Sequence, residues 1–195
     1  PKCGFNRYTA KEIIYGPWEL GGAIFKSLYG EQVLGNIQQI LQYLRSKPSL
    51  HQTLLRIAIY WAQYTVGISL PILEFPEIRL PHFESIYFQQ LRNSLVDIQG
   101  SLRILGTGVL PLQRQNDVYL MDKILGSKKF TDNEIVQIDL CRKHLQVLTL
   151  ADLVTPCGKY FDRYKVLGKP IAWSSKSSLH WINQPRPPEN MWKNW

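Results

Sequence analysis

Four basic residues in the second half of the chain have the type and spacing to contact phosphate groups. Lys128 and Lys129 are adjacent in a stretch expected to connect two helices, and Arg142 and Lys143 follow on the next helix. Such side chains neutralise the phosphates of a nucleic-acid backbone without reading base sequence, and the resulting binding weakens as salt rises. We therefore interpret these four as candidate nucleic-acid-binding residues. A solvated helix face is the alternative.

Catalytic chemistry has no comparable signature in this sequence. Two-metal phosphoryl transfer needs clustered carboxylates, and the chain contains no two adjacent acidic residues. Cys141, His144, Cys157 and His180 are residue types that bind zinc, but their spacings match no compact zinc motif. No P-loop, dinucleotide fingerprint or serine-nucleophile motif is present. The sequence predicts no catalytic residue, metal site or cofactor, with dispersed catalytic groups as the alternative.

The elements that must position these residues are predicted to be helices. Apolar residues recur at helical spacing, which indicates a mainly α protein with about five helices in an irregular bundle. We expect a helical domain at 29–154, between an extended segment at 1–28 and an irregular, basic, Trp-rich tail at 155–195. The predicted helices cover residues 29–45, 49–66, 82–98, 116–125 and 131–148.

Local signals refine this scheme. Apolar residues cover two faces of the 49–66 helix, so we expect it to be the most buried. In the 131–148 helix, Asp139 and Lys143 are four residues apart, which predicts an exposed ion pair. The β-prone run 13–15 and residues 102–105 are predicted to be extended. Capping-box pairs mark two helix starts: Ser49 with Gln52, and Thr131 with Glu134.

The tail contains four of the six tryptophans, interleaved with Lys and Arg. Aromatic rings among cations can stack on nucleic-acid bases. The alternative is that these rings attach an irregular segment to the core by burying a large area.

Composition favours a polyanionic partner. The net charge is +8, of which residues 1–97 contribute +2 and residues 98–195 contribute +6. An uneven basic excess of this kind suggests nucleic acid first and an anionic membrane surface second. The alternative is that the charge simply keeps the domain soluble. Three cysteines are too few for a disulfide framework, so an intracellular location is expected. The most apolar run, 57–66, is too short to span a bilayer, and we expect no membrane partner.

Three separate segments carry a resemblance to a known family. Pro17, Gly21 and Gly22 follow the apolar run 13–15 and precede a helix, and this block is similar to the one after the palm in reverse transcriptases of non-LTR retroelements. Residues 23–25 depart from the usual Leu-Gly-Leu/Ile. Residues 140–152 and 183–188, with Trp192 and Trp195, resemble segments downstream of the polymerase in such elements.

The resemblance implies a thumb-like, post-polymerase region of an RNA-directed DNA polymerase, which grips an RNA or DNA primer–template without catalysis of its own. The paired aspartates of the palm would then lie upstream of Pro1 in the same polypeptide. In this interpretation Pro17, Gly21 and Gly22 form a structural turn in which glycine allows close backbone approach. The alternatives are a helical protein-interaction module that uses the tail as an anchor, and a small enzyme with a deep pocket.

Overall fold

A computed structural model describes residues 8–20, 22, 28–45, 49–104, 114–168 and 185–195. Within these ranges the chain is mainly α-helical, which confirms the predicted fold class. The described α-helices are α1 (Lys11–Tyr15), α2 (Leu28–Arg45), α3 (Leu50–Val66), α4 (Ile86–Asp97), α5 (Leu120–Ser127), α6 (Asp132–Leu145) and α7 (Arg163–Val166). Short 3-10 helices occupy Trp18–Leu20, Leu150–Leu153 and Glu189–Asn194.

The five longer helices, α2 to α6, correspond to the five predicted ones, with shifts at their ends. Helix α4 begins at Ile86 rather than at residue 82, because a turn in which Phe83 N donates to Leu80 O comes first. Helix α6 ends at Leu145 rather than at residue 148, because Gln146 adopts the left-handed conformation (φ 57°). Its amino end carries the predicted Thr131–Glu134 capping box.

Neither of the two short segments predicted to be extended forms a strand within the described ranges. Residues 13–15 belong to α1, where Ile13 N and Ile14 N donate to Ala10 O. Residues 101–104 form no strand, and Leu102 N makes a single backbone contact with Leu73 O at 2.9 Å. Leu105 lies outside the described residues.

The expectation that α3 is buried on two faces is wrong. Ile59, Ala62 and Val66 are buried, but Ile57 and Trp61 remain 58% and 41% exposed. Only one stripe of the helix is covered by the described residues. The apolar surface of α3 is therefore wider than the part that packs against them.

The chain divides into two compact units, residues 1–55 and 56–195. In the first unit α2 buries Val33 and Ile40 on the predicted stripe. In the second unit the core contains the cluster Tyr64, Tyr119 and Leu148.

The turn after α1 has the close approach expected of glycine. Leu20 N and Gly22 N both donate to Pro17 O, at 3.1 and 2.9 Å. A Cβ atom at Gly22 would clash with the backbone of Gly16. Gly21, the third residue of the predicted turn, lies outside the described residues.

The described end of the tail packs on the core of the second unit. Asn194 Nδ2 donates to Gln137 Oε1 of α6 at 2.8 Å, and Trp195 Nε1 donates to Lys165 O at 2.9 Å. The Trp192 ring meets His144 edge-on, with 5.9 Å between ring centroids. Trp192 and Trp195 therefore serve packing, the second of the two alternatives. Trp173 and Trp181 lie outside the described residues.

Candidate nucleic-acid interface

The structure separates the four predicted phosphate contacts into two pairs. Lys128 and Lys129 are exposed in the connection between α5 and α6, where Lys128 adopts the left-handed conformation (φ 51°). Arg142 and Lys143 are buried on α6, at 0% and 6% exposure. The predicted basic surface therefore contains only the first pair.

Arg142 and Lys143 are held by Asp139, and these three residues form what we call the α6 ion cluster. Arg142 Nε donates to Asp139 Oδ1 at 3.0 Å, and Lys143 Nζ lies 2.7 Å from Asp139 Oδ2. The spacing explains the contact, because residues three and four apart share a helix face. The predicted exposed pair of Asp139 and Lys143 is thus wrong, since both side chains lie inside the protein.

The electrostatics of the α6 ion cluster favour its charged form. Burial alone would raise the pKa of the Asp139 carboxyl, but Arg142 and Lys143 outweigh burial and hold this pKa below its usual value. Arg142 Nη2 also donates to Thr65 O of α3 at 2.6 Å. Arg142 thus links α6 to the end of α3. Because its side chain is fully buried, it is not accessible to a nucleic-acid backbone.

Exposed cations and aromatic rings follow one another in the sequence at a hairpin that precedes α7. Val154 and Phe161 form an antiparallel bridge, supported by hydrogen bonds from Thr155 N to Tyr160 O and from Asp162 N to Leu153 O, both 2.8 Å. The chain reverses through a turn that Gly158 (φ 75°) completes.

The guanidinium of Arg114 forms hydrogen bonds with backbone carbonyls of this turn. Its Nη2 donates to Thr155 O at 3.0 Å and to Pro156 O at 3.3 Å. A Cβ atom at Gly158 would lie 2.7 Å from Nη1 at the flexible end of the exposed Arg114 side chain, which can shift, so it is mainly the φ angle of 75° that favours glycine here.

The far end of the hairpin is fixed by α7. Asp162 is the N-cap of this helix, and its Oδ1 accepts from Tyr164 N at 2.9 Å and from Lys165 N at 3.4 Å. Lys165 Nζ reaches back to Asp152 O at 2.8 Å. The backbone of residues 159–164 is thus held by hydrogen bonds on both sides, in the hairpin and at the start of α7.

These side chains are exposed. Tyr160 and Phe161 are each 70% exposed and Tyr164 is 50% exposed, and Lys159 and Arg163 lie among them in the sequence. Neither cation forms an ion pair with a carboxylate of the described ranges. We call these five residues the hairpin surface. Exposed rings beside available cations are what proteins use to bind single-stranded nucleic acid.

Sequence reasoning missed the hairpin surface because it treated residues 155–195 as one irregular tail. The signal is present in the run Lys-Tyr-Phe-Asp-Arg-Tyr at 159–164, where aromatic and basic residues alternate around an N-cap aspartate. Glycine and proline residues in this segment favour irregular structure, whereas in the structure Gly158 completes the hairpin turn.

Metal and membrane sites receive no support from the described ranges. No group of three or more His, Cys, Asp or Glu side chains there is placed to hold a metal ion. Cys141 is buried, and burial raises the pKa of its thiol to about 11. Among the described helices, none has the length and apolar character needed to cross a bilayer.

Comparison with known proteins found no relative. No protein-family model matches the chain, and no similar protein was found among the curated proteins or the solved structures. The likeness to reverse transcriptases thus depends on the three sequence segments alone.

Proposed function

We propose that the chain is a non-catalytic, helical nucleic-acid-binding region of a reverse-transcriptase-type mobile-element protein. The observation that carries the binding role is the hairpin surface, where three exposed rings lie within five residues of two cations that pair with no carboxylate of the described ranges. The polymerase context is proposed from the sequence resemblance, and it requires a catalytic palm elsewhere in the same polypeptide.

The expected ligand is a single-stranded stretch of RNA or DNA. Bases that are not stacked in a duplex can lie against Tyr160, Phe161 and Tyr164, while Lys159 and Arg163 neutralise neighbouring phosphates. Every base has an aromatic face, so this mode has little sequence preference. Such tolerance suits a region that must hold any template.

Lys128 and Lys129 keep their proposed role as additional phosphate contacts. Both are exposed, and neither forms an ion pair with a residue of the described ranges. Replacing both with Gln should weaken binding and lower its salt dependence by roughly 0.7 log–log unit per lost contact on a single strand. An unchanged slope would remove this pair from the interface.

The binding role is tested with the double substitution Tyr160→Ala and Phe161→Ala. Stacking contributes about 1–3 kcal/mol per base, so the affinity for a fluorescent single-stranded 15-mer should fall at least about tenfold in an anisotropy titration. Trp18→Ala is the matched control, because Trp18 is 69% exposed and lies in the other unit. Equal affinities for the hairpin variant and the wild type would contradict the proposal.

A protein-interaction module is the second candidate, favoured by large apolar side chains on α3 and α4 that face solvent. Ile57 and Ile86 are 58% and 69% exposed. Exposed apolar surface of this kind can mark a binding site for another protein. Salt-insensitive association that Ile86→Glu abolishes, together with no binding of nucleic acid, would support this candidate over the first.

A further inference from the structure

A cavity of about 470 Å³ in the second unit borders both the α6 ion cluster and the amino end of α4. Its volume is in the range of small-molecule sites, about 300–1,000 Å³. Trp61 of α3 and Phe88 of α4 contribute aromatic walls, and Ser85, Glu84 and Lys143 contribute polar groups. A few polar groups in a mainly apolar lining are the usual composition of a ligand site.

The amino end of α4 favours an anion in this cavity. The first backbone N–H groups of a helix have no intrahelical acceptor and carry the positive end of the helix dipole. Ser85 occupies the N-cap position, but its side chain makes no capping hydrogen bond, and no acidic residue lies in the first turn. Phosphate groups commonly bind at such helix ends.

Lys143 supplies a second, independent attraction for an anion. Its side chain is 7% exposed and lines the cavity. Of its three N–H bonds, two face Asp139 Oδ2 at 2.7 Å and Glu84 Oε1 at 3.0 Å. No residue of the described ranges accepts the third. Such a buried ammonium group gains from one more acceptor.

Glu84 is the partner that a ligand can replace. Its side chain is 73% exposed, whereas that of Asp139 is 2% exposed. Without Glu84, the α6 ion cluster has two cations and one carboxylate and is left with one positive charge.

His82 is a buried polar group in the wall of the cavity that lacks a partner on one side of its ring. The residue is 3% exposed, and its Nδ1 has no hydrogen-bond partner in the described ranges. The other nitrogen, Nε2, lies 3.0 Å from Val66 O and donates to it. Because burial lowers the pKa of the ring, Nδ1 is an acceptor at neutral pH and suits a hydroxyl group of the ligand.

We propose that this cavity binds a phosphomonoester joined to an aromatic base, as in a nucleoside monophosphate. The phosphate lies at the amino end of α4 and takes the place of Glu84 beside Lys143, and the base packs against Trp61 and Phe88. The same chemistry is offered by a free nucleotide and by the 5′-phosphorylated end of a strand. This site goes beyond the hairpin surface and does not depend on it.

The variant Ser85→Asp tests the site without endangering the fold. An N-cap aspartate accepts hydrogen bonds from the first turn and stabilises a helix, yet its charge occupies the place of the phosphate. Calorimetric titration with AMP should show binding to the wild type and at least about a tenfold loss in Ser85→Asp, with an equal or higher Tm.

Glu84→Gln gives the opposite expectation and excludes a merely structural effect. It removes the competing carboxylate, so AMP should bind several-fold more tightly. Lys123→Gln is the matched control, because Lys123 is exposed on α5 and does not line the cavity, and it should leave the AMP affinity unchanged. The proposal is overturned if the wild type does not bind AMP, if adenosine binds as tightly as AMP, or if Ser85→Asp leaves AMP binding intact.

A competition experiment then identifies the source of the phosphate. If a 5′-phosphorylated oligonucleotide displaces AMP and its 5′-hydroxyl counterpart does not, the site receives a strand end. If neither displaces AMP, the site receives a free nucleotide. The Tyr160→Ala and Phe161→Ala variant should bind AMP normally, so failure of the hairpin surface and failure of the cavity are distinguishable.

Discussion

The α6 ion cluster and the hairpin surface contain the same kinds of basic residue and put them to opposite uses. In the cluster, Arg142 and Lys143 lie three and four residues after Asp139 and are buried with it. On the hairpin, Lys159 and Arg163 remain exposed. The two regions differ because Asp139 shares the helix face of Arg142 and Lys143, whereas neither Lys159 nor Arg163 forms an ion pair with a carboxylate of the described ranges.

Aromatic residues likewise differ between the two regions, since some pack on the core and others are exposed. Trp192 and Trp195 form hydrogen bonds through their indole N–H groups, to Pro187 O at 3.0 Å and Lys165 O at 2.9 Å, and pack on the core. Tyr160 and Phe161 project from a hairpin and are 70% exposed. The sequence left both stacking and packing open for the tail tryptophans and predicted no role for Tyr160 or Phe161.

Disruption of the α6 ion cluster should have the greatest consequence for stability. Asp139→Asn leaves two buried cations without their carboxylate, and removal of one partner from a buried pair costs about 3–5 kcal/mol. Urea denaturation should therefore show a large loss in the free energy of unfolding.

Asp132→Asn is the matched control on the same helix. Asp132 pairs with Arg79, but the two side chains are 41% and 79% exposed, and exposed pairs contribute at most about 1 kcal/mol. Similar losses for the two variants would show that the cluster is not the buried structural element described.

A glycine substitution beside the cluster should have a smaller effect. Gly67 ends α3 with φ 69°, and a Cβ atom there would clash with the guanidinium of Arg142. Gly67→Ala should cost about 1–3 kcal/mol through backbone strain and the displaced arginine.

Gly126→Ala provides the comparison for this change. Gly126 lies in α5, a Cβ atom added to it would meet no described neighbour within 4 Å, and Ala is favoured in helices by about 1 kcal/mol. Thermal unfolding of both variants should move Tm in opposite directions. A neutral Gly67→Ala would mean that Arg142 is not held as tightly as its contacts indicate.

Lowering the pH should have a still smaller effect on the stability of the folded protein. Burial lowers the pKa of the His82 ring, while Asp139 opposes this shift. The unfolded chain then binds a proton near pH 6.5 that the folded protein does not, so stability falls as the pH is lowered below about 6.5. One such group contributes at most about 1.4 kcal/mol per pH unit.

His82→Gln isolates this contribution, because the Gln amide can keep the hydrogen bond to Val66 O but does not titrate. Denaturant curves at pH 7.5 and 5.5 should show a smaller loss of stability in the variant than in the wild type. Equal losses would assign the pH dependence to other groups.

The sequence was a good guide where one physical signal dominated. Helical periodicity and the Thr131–Glu134 capping box located the longer helices to within a few residues. It was a poor guide to exposure, because Arg142 is buried through contacts with Thr65 O, 77 residues away, which no local pattern records. The hairpin also depends on a distant residue, Arg114, whose contacts with Thr155 O and Pro156 O lie about forty residues along the chain.

The salt dependence of single-strand binding is the decisive measurement for the hairpin surface. We predict that Lys159→Gln with Arg163→Gln lowers the slope of log affinity against log salt by about 1.4, since each lost contact accounts for about 0.7. Arg79→Gln with Arg103→Gln removes the same charge from residues that already pair with Asp132 and Glu74, and should change the slope little. Equal slopes for the hairpin variant and the wild type would show that these two cations do not contact the strand.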